Sequence, residues 1–240
     1  MKISGLQKTT LLDFPGQVAC TVFTGGCNFR CPFCHNSELL DINALPAEND
    51  YSEEEVFDLL KKRHGVLTGI AITGGEPTLQ PDLREFIEKV RSLGYLVKLD
   101  TNGYKPEVLK NLVDAGLVDY VAMDIKSCRE NYGKVAGVDH PDLSRIEESI
   151  RFLMQGKIPY EFRTTVVKEL HTKEDFIKIA EWLDGAENYF LQNFTDTGHV
   201  LQSGYSAYPQ AVLASFLPVL RKHIRNVHLR GIDYDEDKIV

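Results

Sequence analysis

A chain of 240 residues with 43% apolar side chains is long enough for one α/β unit with a substantial core. Its net charge of −8 and pI near 5.4 argue against a nucleic-acid or anionic-membrane binder. The N-terminus has no long apolar stretch, no run approaches membrane-spanning length, and five cysteines are too sparse for a disulfide scaffold, so a chain without membrane or nucleic-acid partners, in the reducing cytoplasm, is expected.

The first strand signal is the apolar, β-branched run at 18–23, with Cys20 inside it as a small buried side chain. The loop 25–36 that follows reads Gly25-Gly26-Cys27-Asn28-Phe29-Arg30-Cys31-Pro32-Phe33-Cys34-His35-Asn36. Three thiolates on one loop, spaced C-x3-C-x2-C, can hold three corners of a cubane iron–sulfur cluster and leave the fourth iron without a protein ligand. A Cys3His zinc site using His35 is the competing reading; against it stands the lack of a second, distant ligand pair. After an aperiodic acidic connection at 37–51, Ser52 and Glu55 form a capping box for a helix carrying Val56, Leu59 and Leu60 on one face. The alternation then repeats. Strands are predicted at 66–73, 95–99, 118–123, 160–167, 188–191 and 226–229. Helices are predicted at 81–93, 106–115, 143–154, 173–183 and 207–223, the last bent at Pro218. A charged tail at 233–238 follows. Such alternation means parallel strands joined by right-handed crossovers. Six or seven repeats in this length predict a partial (β/α)6 barrel of parallel strands, as a single domain over 1–240.

Polar and glycine clusters recur where these strands end, which is where active sites form in parallel α/β folds. The cysteines follow the first strand, Gly74-Gly75-Glu76-Pro77 the second, Asp100-Thr101-Asn102-Gly103 the third, and Asp124 and Lys126 the fourth. Arg163 and Thr165 alternate along the fifth, and Gln192-Asn193 close the sixth. Plainer readings stand beside these: a tight βα turn for the glycine pair, a turn with a helix cap for Asp100 to Gly103, an ion pair for Asp124 and Lys126. The functional reading of the glycines is a close backbone approach that only glycine permits. A guanidinium inside an apolar strand demands a partner. His64, His140, His171, His199, His223 and His228 are scattered and read as surface or packing residues.

Together these residues resemble the radical S-adenosylmethionine (SAM) superfamily, through the cysteine spacing with an aromatic at Phe33, Gly74-Gly75-Glu76-Pro77, and the later strand ends. Within it, Thr10-Leu11-Leu12-Asp13-Phe14-Pro15-Gly16, Cys34-His35-Asn36, Asp100-Thr101-Asn102-Gly103 and Asp124-Ile125-Lys126 are similar to the glycyl-radical-enzyme activases. Leu191-Gln192-Asn193-Phe194 is similar to the branch acting on anaerobic ribonucleoside-triphosphate reductase. The resemblance implies a [4Fe-4S] cluster on Cys27, Cys31 and Cys34, with SAM chelating the open iron. It implies adenine bordered by Phe33, and a methionyl amino group met by the main chain of Gly74, Gly75 and Glu76. Ribose and carboxylate contacts are implied for Asp124 and Lys126, and a monovalent cation at Asp100, Thr101 and Asp124. Gln192 lies where the pyruvate formate-lyase activase has a histidine near the end of strand six, so that SAM contact is replaced or absent. Arg163 is our candidate for a carboxylate partner. The implied reaction is one-electron cleavage of SAM to methionine and a 5′-deoxyadenosyl radical, which removes a hydrogen atom from a glycine Cα of a partner enzyme. A flavodoxin- or ferredoxin-type protein would donate the electron. The alternatives are a small-molecule radical SAM enzyme similar to 7-carboxy-7-deazaguanine synthase and a non-enzymatic zinc-binding module.

Overall fold

In a computed structural model of the chain the described residues are 1–41, 50–196, 198 and 200–231. The middle of the acidic connection (42–49), His199 and the charged tail at 233–238 lie outside them. In chain order the elements are strands β1 (Ile3–Thr10) and β2 (Ala19–Thr24), helix α1 (Glu53–Lys62), β3 (Gly69–Gly74), α2 (Leu83–Ser92), β4 (Leu96–Thr101), α3 (Pro106–Asp114) and β5 (Tyr120–Asp124). There follow α4 (Tyr132–Ala136), α5 (Leu143–Leu153), β6 (Tyr160–Val166), α6 (Lys173–Trp182), β7 (Asn188–Asn193), α7 (Gln210–Ala214), α8 (Leu217–Leu220) and β8 (Asn226–Arg230). This is the expected α/β alternation. Among the described residues no helix is long and apolar enough to cross a membrane.

The elements fall into two compact units. The first holds the described residues of Met1–Arg30, Asn36–Asp124 and Asp142–Tyr160; the second holds those of Cys31–His35, Ile125–Pro141 and Glu161–Val240. In the first unit β1 to β5 lie side by side in sequence order, with β2 to β5 parallel and β1 antiparallel to β2. Cys20, Val22, Ile70, Ile72, Val97, Leu99 and Val121 are fully buried. Strands covered on both faces read as near-continuous apolar runs, which is why these were legible. Burial also pushes the Cys20 thiol up to about 12. β1 was not among the predicted strands. Its Gln7, Lys8 and Thr9 are exposed, the polar character of an edge strand rather than a core one.

In the second unit β6, β7 and β8 are parallel neighbours. Phe162, Thr164 and Val166 are buried while Arg163 and Thr165 are half-buried, the period of two expected of this strand. The predicted helix at 207–223 is two short helices, α7 and α8. Pro218 has no N–H, and its ring excludes the carbonyl of the residue four back. That residue is Ala214, where α7 ends, so the expected bend is a break. The irregular stretch before Pro141 also contains α4, closed by Gly137 at φ 66.

Candidate functional site

In the first unit the ends of β2, β3 and β4 are neighbours in the sheet, so three loops remote in sequence meet. Gly75 N–H donates to Thr24 O and Glu76 N–H to Gly26 O, both at 2.8 Å. A side chain on Gly75 would collide with the carbonyl of Gly26. Glycine is therefore required by the approach of the cysteine loop itself. Gly74 carries φ 112, and its carbonyl accepts from Asn36 Nδ2 at 3.4 Å. With the amides of Gly75 and Glu76 consumed, what this turn can offer a ligand is carbonyl oxygen, the right polarity for an amino group.

Glu76 is 1% exposed. Its Oε1 accepts from Thr78 N–H at 3.1 Å, Thr78 Oγ1 at 2.5 Å and Thr101 Oγ1 at 2.7 Å, and its Oε2 from Asn102 N–H at 2.7 Å. Burial pushes its pKa above the ordinary carboxylate value, against the pull of these donors. An acceptor with four donors around it is a clamp between the β3 and β4 ends. Thr101 Oγ1 also accepts Gly103 N–H at 3.0 Å. Asp100 is ion-paired with Lys98 two residues earlier on β4, and both are buried.

A second chain of bonds reaches the cysteine loop. Tyr104 N–H donates to Asn102 Oδ1 at 3.0 Å, which turns Asn102 Nδ2 toward Asn28; that nitrogen donates to Asn28 Oδ1 at 2.8 Å. Asn28 Nδ2 is then left buried without an acceptor. An orphaned buried donor costs about 1–3 kcal/mol. Beside it, Phe29 N–H points at Cys27 Sγ, 3.3 Å away.

In the second unit Cys34 N–H closes a turn on Cys31 O at 3.0 Å, and Cys31 Sγ lies 3.7 Å from Ala136 O. Phe33 is buried. The His35 ring stacks on Phe194 with centroids 5.4 Å apart; its Nδ1 is buried without a partner, and burial lowers its pKa. Lys126 is held by its carbonyl, which accepts from His171 Nε2 at 2.8 Å. Val167 N–H donates to His171 Nδ1 at 3.1 Å, so the ring is neutral with its proton on Nε2. The sequence marked His171 only as surface or packing; its complete burial makes it the fixed support of the loop after β5. Thr164 Oγ1 adds a bond to Ile125 O at 2.6 Å, and Ile125 N–H donates to Arg163 O at 2.8 Å. Arg163, Thr165 and Gln192 share one face, with Thr165 opposite Gln192 and Gln192 opposite Arg230. Arg230 was not foreseen. It makes a two-pronged pair with buried Glu161 at 2.7 and 2.9 Å and lies over the Phe190 ring at 4.2 Å.

Three thiols on one loop are the donor chemistry that an iron–sulfur cubane takes. None of the five cysteines is joined in a disulfide. Among the described residues no three His, Cys, Asp or Glu side chains are grouped to hold one metal ion. A cubane asks for something else, because its three thiolates bind three different irons. Cluster sulfur is also an acceptor, which the orphaned Asn28 Nδ2 lacks.

The profile of the Radical SAM superfamily matches residues 21–183. "Putative glycyl-radical enzyme activating enzyme MJ1227" of Methanocaldococcus jannaschii is 29% identical over 245 aligned positions, covering 96% of this chain and 96% of that protein. "Probable GTP 3′,8-cyclase" of Thermococcus kodakarensis is 32% identical over 65% of this chain, which spans only 50% of that protein's length. Among solved structures, a domain of pyruvate-formate lyase-activating enzyme from Bacteroides vulgatus superposes with TM-score 0.55 at 17% identity, over 68% of this chain and 99% of that domain. TYW1 with a lysine-pyruvate adduct superposes with TM-score 0.62 at 16% identity, over 85% of this chain and 73% of that one. At these identities the two structures establish a shared fold.

Proposed function

The chain belongs to the radical SAM superfamily, and from that premise we propose that it is a glycyl-radical-enzyme activase. The observation that carries this reading is the end-to-end correspondence with the M. jannaschii protein named for that activity, at 96% coverage of both chains. The family implies a [4Fe-4S] cluster and SAM. Cys27, Cys31 and Cys34 would hold the cluster. When bound, it supplies the electron that splits the SAM sulfonium and so generates the radical that abstracts hydrogen.

The chain's own residues prepare that event. Gly75 lets the β3 turn lie against the cysteine loop, and the turn's carbonyls receive the methionyl amino group. The Glu76 carboxylate orients this turn against Thr101 and Asn102 and is turned away from the ligand, which meets the main chain there. Phe33 borders the adenine. Ribose and carboxylate contacts fall to Asp124 and to Lys126, which His171 steadies; Arg163 and Gln192 are our further candidates for SAM contacts. At the cation site expected from Asp100, Thr101 and Asp124, Lys98 already pairs with Asp100 and Thr101 Oγ1 already serves Glu76. In our reading the Lys98 ammonium supplies the positive charge there.

The partner we propose is the anaerobic ribonucleoside-triphosphate reductase, on the likeness of Leu191 to Phe194, with a flavodoxin- or ferredoxin-type electron donor. The test is anaerobic reconstitution, reduction and mixing with SAM and a glycyl radical enzyme encoded beside this chain. A glycyl electron-paramagnetic-resonance signal, with release of 5′-deoxyadenosine, is expected. SAM cleavage coupled instead to turnover of a small heterocycle without a protein partner would replace the activase with the reading that the cyclase relatives favour.

A further inference from the structure

The buried amide of Asn28 has a direction that its neighbours fix, and that direction leaves a donor for sulfur. Tyr104 N–H takes Asn102 Oδ1. Asn102 must therefore present Nδ2 to Asn28, and Asn28 must answer with Oδ1. The Asn102 backbone is itself pinned by Glu76 Oε2 at 2.7 Å. Each bond in this series determines the next, so Asn28 cannot turn its amide over without setting two donors or two acceptors face to face. What remains is Asn28 Nδ2, buried and without an acceptor, on the residue that follows Cys27. Protein interiors do not keep such a donor without compensation.

We propose that Asn28 Nδ2 donates a hydrogen bond to a sulfur of the bound cluster, either the Cys27 thiolate or an inorganic sulfide, and thereby raises the cluster's reduction potential. Phe29 N–H already points at Cys27 Sγ, 3.3 Å away, so Asn28 would be a second donor at the same corner. Hydrogen bonds to sulfur favour the more negative, reduced state of a cluster. Asn102 is then a positioning residue, linking the loop after β4 to the electronics of the cysteine loop. The inference rests on the radical SAM reading of the cysteines and concerns the cluster alone, before SAM or a partner is added.

The test is redox titration of the reconstituted protein without SAM, followed by electron paramagnetic resonance of the reduced cluster. Asn28→Leu, which keeps the side chain's bulk and removes the donor, is expected to shift the midpoint to more negative values by about 59 mV, one tenfold step in a one-electron equilibrium. Asn102→Asp keeps the bond from Tyr104 but offers Asn28 an acceptor, so Asn28 reverses and shows Oδ1 to the cluster. A shift of the same sign is expected. In the double variant Asn102→Asp should add nothing to Asn28→Leu; an additional shift there would mean a through-space charge effect and would overturn the positioning role. Asn28→Ala, which also lacks a donor, stands in if the leucine variant does not assemble a cluster. Unchanged potentials at full iron and sulfide content would overturn the proposal, as would a shift seen only after SAM is added. Loss of cluster binding in every one of these variants with the melting point retained would also overturn it, in favour of a purely structural role. If the unaltered protein binds no iron and sulfide, it is the cysteine reading that fails, not this one.

Discussion

At the scale of single residues, the ends of β3 and β4 are held by a carboxylate whose own hydrogen bonding is complete. That carboxylate is Glu76, whose Oε1 and Oε2 each accept one backbone N–H, from Thr78 and Asn102. Hydroxyls can rotate to accept instead, but backbone N–H groups cannot. Glu76→Gln therefore sets a donor against a donor whichever way the amide is turned. The expected cost is about 1–3 kcal/mol of stability, read as a lowered melting temperature, together with a lowered iron content after reconstitution. An unaltered melting temperature would mean that the clamp is not under this constraint. The sequence marked Glu76 through its position after two glycines, and the resemblance implied only a main-chain contact with a ligand. That its carboxylate is turned inward became visible only with Thr101 and Asn102 beside it, because pairing across adjacent strands leaves no trace in local sequence.

At the scale of elements, local signals were legible where physics is local. Ser52 caps α1 and Glu55 returns the bond, as their spacing predicts. A second box, Thr172 with Asp175, starts α6 and was not singled out. The two differ in reach. Glu55 is exposed and serves only its own helix end. Asp175 additionally accepts from Cys128 Sγ at 3.1 Å and Asn131 Nδ2 at 2.6 Å, tying the loop after β5 to α6. Ser52→Ala should thus cost about 1 kcal/mol, while Asp175→Ala should cost clearly more, since besides the cap it removes an acceptor from the buried Cys128 thiol and from the half-buried Asn131 amide. Chemical denaturation of both variants checks the order, and equal losses would show that the two boxes carry the same load. The same contrast explains β1 and the 207–223 segment. Strands β2 to β5 were legible because burial on both faces writes an apolar run, and β6 through its period of two. An edge strand such as β1 carries Gln7, Lys8 and Thr9 and writes none. The break between α7 and α8 was marked by Pro218, yet whether a proline bends or ends a helix depends on what can take over the freed groups, and that is tertiary.

At the scale of the whole molecule, the response to acid discriminates between charge and structure. The chain carries −8 at pH 7 and loses its net charge near pH 5.4, so reduced solubility is expected there from composition alone. A structural transition should begin earlier. Burial lowers the pKa of His171 from its ordinary 6.5, with Lys134 acting in the same direction and the Lys126 and Val167 backbone bonds and Asp175 opposing. A histidine with a depressed pKa stays neutral when folded, so the unfolded chain binds the extra proton first. Its contribution is complete above pH 6.5, the ordinary value, and is lost as pH falls from there through the folded pKa. Asp175 is shifted down from its ordinary 3.8, so its contribution disappears only in a lower window. The melting temperature should therefore decline as pH falls below about 6.5, above the window in which Asp175 titrates. His171→Gln provides the control, because a carboxamide can still donate to Lys126 O but cannot titrate. That variant should melt a few degrees lower at pH 7.5, on the scale of about 2–4 °C per kcal/mol for a chain of this size, and show a flatter profile below pH 6.5. Light scattering in the same samples separates precipitation from unfolding. Parallel declines in the two proteins would assign the acid transition to other groups and leave His171 as a support for Lys126 without a role in pH response.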